Sequence, residues 1–177
     1  MADREIEILT KLITDVSDTS DSDVENAAEA RPKIIEIKLA RLIAVQSLYH
    51  FEILKSLEST FQLASDMVDT WKENKYFKFP GSRVCRDSLR KLLKVTLDNL
   101  ESIDSNISAN LQDDWKLDRI PKVVLAILRV AIGELYCKEL DHPIIIDEYL
   151  NIADYMNHKG EKGFVNHVLD HVAKGLK

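Results

Sequence analysis

His167 and His171 stand four residues apart near the end of the 177-residue chain. On a helix this spacing puts both imidazoles on one face, a pattern that can bind zinc. The one acid between them, Asp170, is not the glutamate of a His-Glu-x-x-His motif, which would follow the first histidine, and no cysteine or third histidine is close in sequence. The pair therefore reads as two solvent-facing imidazoles, and no metal site is expected. Cys85 and Cys137 lie far apart and form no Cys-x-x-Cys pair. They read as buried thiols of a reducing compartment. The acid pairs Asp113-Asp114 and Asp147-Glu148 fit helix caps and solvated faces better than a catalytic dyad. Phosphate-cradling glycine loops and a nucleophile elbow are absent from the sequence. No enzyme and no cofactor are expected.

Binding chemistry is better represented. The stretch KGFVNHVLDHVAK, residues 162–174, winds into a helix with Phe164, Val165, Val168, Leu169 and Val172 in one apolar stripe. Asn166 swings away from the stripe's centre, although asparagine is a poor residue for a helix interior. Lys159, Lys162 and Phe164 precede it, around the helix's first turn. Lysines there can meet a phosphate that the free backbone N–H groups also attract. A phenyl ring can stack on an unpaired base, and an asparagine can read a base edge. Lys38 and Arg41 lie three apart on another helix, about 60° from each other around its axis. Cations near a helix start oppose its dipole, so they need another partner. Phosphate is one such partner, and acids reached by snorkelling side chains are another.

These residues need helices to hold them, and helices are what the sequence encodes. Only 5 glycines and 4 prolines punctuate the chain, and the apolar spacing is helical throughout. After Pro32, KIIEIKLARLIAVQSLYHFEILKSL is apolar on nearly every side, which predicts a helix enclosed by neighbours. An amphipathic second helix follows, and Pro80-Gly81 ends it. Residues 82–111 read as one long third helix. RIPKVVLAILRVAIGELYCKEL is a mostly buried fourth, with Pro121 tolerable only in its first turn. A fifth follows Pro143, and the last carries Asn166. Arg129 in the apolar fourth helix should pair with an acid on another helix. The run VVLAILRVAIGELY is too short to span a bilayer and contains Arg129 and Glu134. No leader-like start is visible, so a cytoplasmic protein is expected.

Charge is unevenly spread. Residues 1–30 carry two basic and nine acidic residues, which leaves 22 basic and 21 acidic for the remainder of a chain of net charge −6. Residues 1–32 read as an acidic, disordered extension, because 15–30 offers little apolar surface to bury. Residues 33–177 read as one near-neutral all-helical domain on which a local basic patch is possible.

Several blocks together resemble the NusB family of bacterial transcription antitermination factors. Ala40, Arg41, Ala44, Val45, Gln46, Leu48 and Tyr49 fit that family's A-R-x-x-A-[VL]-Q-x-L-Y block. Ala126-Ile127-Leu128-Arg129, Ala131, Glu134-Leu135 and Pro143 fit the next, and Phe164-Val165-Asn166 with Val168-Leu169-Asp170 fit its F-V-N-G-V-L-D. The segment 85–89 is similar to the start of the family's third helix. The match runs over about residues 33–175 in the family's order. The resemblance implies an all-α fold of two three-helix bundles around a buried first helix. It implies a non-enzymatic protein that binds boxA RNA of ribosomal operons together with NusE, a small-subunit ribosomal protein, within the RNA polymerase antitermination complex. On this reading Lys38, Arg41, Lys159, Lys162, Phe164 and Asn166 are the RNA-binding residues. A helical protein-interaction module with little RNA affinity is the alternative. NusB-like domains also precede ribosomal RNA cytosine methyltransferases, but that class needs a cofactor-binding domain for which no residues are left. The chain departs from the family at His167, which replaces glycine, at Asp147 and Tyr149, which replace asparagine and alanine, and in a thinned basic run at the first helix. These departures predict weak RNA binding by the chain alone.

Overall fold

Pro32 does not start the first helix. In the structure, a computed structural model, α1 runs Val24–Leu54 and takes Pro32 into its body. Residues 24–73, 83–111, 116–156 and 159–176 are described, the side chains of 24–33, 35, 71–73, 83–85 and 159 excepted. The disorder expected of 15–30 therefore does not extend over 24–30. VENAAEA is rich in alanine and glutamate, which favour the helix enough to carry it through a proline that lacks the N–H of a normal turn. The rest of the expected extension, residues 1–23, lies outside the described residues.

The centre of α1 is enclosed on all sides, as its composition predicts. Leu39, Ala40, Leu42, Ile43, Ala44, Val45 and Leu48 are all buried. Lys55 ends the helix in the left-handed conformation at φ 53, with its N–H still donating to the Phe51 carbonyl at 2.8 Å. Ser56 caps α2 (Leu57–Glu73): its hydroxyl accepts the Ser59 N–H at 3.3 Å.

The third helix is broken where one continuous helix was expected. It divides into α3 (Arg83–Asp98) and α4 (Leu100–Ser108) at Asn99. The Asn99 amide donates to the Val95 carbonyl at 2.8 Å and competes for the acceptor of the helical ladder. Helix resumes at once, with the Ile103 N–H on the Asn99 carbonyl at 2.9 Å, so apolar periodicity continues through the break. Pro121 stands at the cap of α5 (Lys122–Cys137), where its missing N–H costs nothing. Val124 through Leu135 are all buried. Pro143 sits in the first turn of α6 (His142–Tyr155). A single 3₁₀ turn, Lys159–Glu161, leads into α7 (Lys162–Gly175).

The helices pack as α1 with α2 and α3, and as α5 with α6 and α7. Both α1 and α3 also lie against α5, and α4 packs beside it. The result is two three-helix bundles sharing a core around α1, and the elements among the described residues are all helical. Gly133 sets the distance between α3 and α5. A Cβ there would overlap Thr96 Oγ1 and lie 3.2 Å from Thr96 Cα.

Candidate nucleic-acid interface

Arg41 is not at the surface. Its side chain is 4% exposed and lies between three helices. Nε donates to both Glu134 oxygens at 3.1 and 2.9 Å, and Nη2 donates to Oε1 at 2.6 Å. Nη1 reaches Glu148 Oε2 at 3.3 Å. The Tyr149 hydroxyl donates to Glu134 Oε2 at 2.7 Å. Burial by itself would lower the Arg41 pKa, but the facing Glu134 carboxylate outweighs it and the net direction is upward. Burial also holds the Tyr149 phenol well above its ordinary pKa, with Glu134 adding to the effect. Tyr149 thus remains a neutral donor. The cluster fastens α1 to α5 and α6.

This placement corrects the expectation of a phosphate contact from Arg41. A guanidinium desolvated against two carboxylates has no open face for RNA. The cause is Glu134, the one acid in the buried run Val124–Leu135, which cannot be buried without a cation. Glu134 is visible in the sequence, and its need for a partner is the signal that could have pointed to Arg41. Glu148, first read as a solvated acid, is the second partner.

Lys38, one turn before Arg41, reaches the other Glu148 oxygen at 3.4 Å, and its side chain is 14% exposed. Lys162, at the start of α7, reaches Asp154 of α6 at 2.6 Å with 39% of its side chain exposed. The structure therefore brings both lysines onto α6, each beside an acid that fixes its stem. Asn166 is exposed on α7. Phe164 is half-buried and packs against the core, so only part of its ring is open to a base. The Lys159 side chain lies outside the described residues.

Arg129 has the role expected of it. It makes a two-pronged bond to Asp104 of α4 at 2.7 and 2.8 Å and a second ion pair with Glu52 of α1. Burial would raise the Glu52 pKa, but hydrogen bonds from Lys55 and Arg129 carry it below its ordinary value. A different surface lies at the α1–α2 corner, where Ile53, Leu54, Leu57 and Phe61 are exposed. Beside it a cleft of about 130 Å³ between α2 and α3 has Val68, Leu89 and Leu93 along its walls and Arg86 and Arg90 in its lining.

The sequence matches the model of the NusB family over residues 38–174. The chain belongs to the NusB family. The transcription antitermination protein NusB of Rickettsia rickettsii (strain Sheila Smith) is 31% identical over 147 residues, covering 80% of this chain and 94% of that protein. That of Rickettsia typhi is 30% identical over 148 residues, covering 80% of this chain and 94% of the relative. Among solved structures, T. maritima NusB is similar at a TM-score of 0.64 with 27% identity, covering 78% of this chain and 90% of that one. A chain in the crystal structure of antitermination factors NusB and NusE in complex with dsRNA aligns at a TM-score of 0.67. It covers 79% of this chain and 97% of that one at 21% identity, a likeness of fold. The matched region of the NusB family contains both buried arginine clusters and all but the last residue of α7. No helix among the described residues is long and apolar enough to cross a membrane.

Proposed function

We propose that the protein is a transcription antitermination factor that binds boxA-type RNA of ribosomal operons together with NusE and supports elongation by RNA polymerase. The observation that carries this reading is the family match, which spans residues 38–174 of the 177. The role is binding without catalysis, in the cytoplasm. Residues from 33 on form the RNA-binding domain. The contacts are assigned to Lys38, Lys162 and Asn166, with Lys159 beside them and the open edge of Phe164 available for stacking. Arg41 acts indirectly by fixing the helix turn that carries Lys38. Lys38 and Lys162 each already face an acid, so counterion release is small and the chain alone binds RNA weakly. The test is a gel-shift titration of boxA-type RNA against a scrambled RNA, on the protein with and without Lys38→Ala and Lys162→Ala. Preference for boxA RNA that falls in both variants supports the assignment. Equal binding of both RNAs removes it.

The apolar corner at Ile53, Leu54, Leu57 and Phe61 supports a second reading, a helical interaction module with little RNA affinity. An apolar patch of this kind fits a protein partner better than a phosphate backbone. Partner binding with no RNA binding under any salt condition would favour it.

A further inference from the structure

We infer that His167 and His171, which the sequence alone reads as two solvent-facing imidazoles without a metal, form a two-ligand site for a borderline-soft divalent cation of the zinc class on the outer face of α7. Both side chains are exposed. Their ring centroids are 4.2 Å apart and the rings are tilted by 46°. Side-chain rotation alone can then bring one nitrogen of each ring to a common ion at the usual zinc–nitrogen distance of about 2.0–2.1 Å. A second observation selects the nitrogen. His171 Nδ1 lies 2.9 Å from the His167 carbonyl oxygen. A carbonyl only accepts, so Nδ1 is the donor and Nε2 is the nitrogen that would face an ion. Metal-binding histidines are commonly oriented in this way, with the second ring nitrogen donating to a backbone carbonyl. The nearby acid is otherwise engaged: Asp170 pairs with Lys174 at 3.2 Å. Imidazole ligands select zinc, nickel or copper over magnesium and calcium. With two protein ligands, the remaining coordination positions go to water. The site is next to Asn166 on the face assigned to RNA, yet it does not depend on that assignment, and its test needs no RNA.

The experiment is a titration of zinc chloride into the full, untagged chain, followed by calorimetry and by the imidazole proton resonances. One ion per chain should bind, moving the resonances of His167 and His171 and sparing those of His50, His142 and His158. His167→Ala and His171→Ala should each weaken binding by roughly tenfold or more, because each removes one arm of a chelate. Both positions are exposed, so the variants keep the helical circular dichroism spectrum. Magnesium chloride should leave the resonances unmoved. Failure of zinc to bind at millimolar concentration overturns the inference, as does zinc affinity unchanged in the two folded variants.

Discussion

At the scale of the residue, burial separates two cations that lie three apart in sequence. Arg41 is enclosed by Glu134, Glu148 and Tyr149, whereas Lys38 keeps an edge in solvent. Removing the guanidinium strands two carboxylates, a change that costs about 3–5 kcal/mol in buried pairs. Arg41→Ala should therefore lower the urea midpoint strongly, and a midpoint within error of the parent would show that the cluster does not hold the helices. Lys38→Ala should leave the midpoint nearly unchanged and flatten the salt dependence of RNA binding by about one contact. The two positions were indistinguishable by spacing alone, since both fit either phosphate or a buried acid. Burial depends on which residues of α5 and α6 arrive opposite, and one helix's pattern does not contain that. Glu52 gives a pH prediction. Its folded pKa lies below the ordinary 4.5, so the unfolded chain binds more protons and stability rises with pH. The contribution is fully present above about 4.5 and is lost as pH falls through the lower folded value. Glu52→Gln should shrink the acid limb of a stability–pH curve measured by denaturant titration. An acid limb of equal steepness in the variant would assign the effect to other groups.

At the scale of the element, Gly133 is the most tightly enclosed of the described glycines. A methyl group there must displace Thr96 and part α3 from α5, and overpacking of this kind costs about 1–3 kcal/mol. Gly133→Ala should be destabilised by that amount in urea, and adding Thr96→Ala should recover part of the loss because the overlapping oxygen is gone. Strict additivity of the two changes would mean that the helices do not meet there. Most helices were legible in the sequence. α1 and α5 announce themselves by being apolar all round, and Pro121 and Pro143 mark helix starts correctly. Two boundaries were not legible. Asn99 breaks a helix without interrupting its apolar rhythm, since one side-chain amide takes a backbone carbonyl while the stripe continues. Val24 starts α1 ahead of Pro32, because helix-forming residues on both sides outweigh a single missing hydrogen bond. The candidate site was partly legible: Asn166 and Lys162 lie where the periodicity of α7 puts them, while Phe164 turns more toward the core than a stacking role would ask.

At the scale of the whole molecule, charge is segregated. The first 30 residues hold nine of the 30 acidic side chains, and the remainder is nearly neutral. Deleting residues 1–23 should leave the helical circular dichroism signal and the urea midpoint in place, since the core is built from α1 onward. The same deletion should strengthen RNA binding at low salt, where an acidic segment competes with phosphate for the lysines, and the gain should fade as salt rises. Equal affinity across salt would show that the segment does not screen the RNA face. A nearly neutral NusB-family domain is expected to bind RNA well only with a basic partner that supplies the missing charge. If RNA and NusE are coupled through this protein, each must tighten the other's binding by the same factor. The direct measurement is a calorimetric cycle with the protein, NusE and boxA-type RNA at fixed salt. The expected result is weak RNA binding by the isolated chain, clearly tighter binding by its complex with NusE, and an equal gain in NusE affinity when RNA is present. RNA affinity that is the same with and without NusE would contradict it.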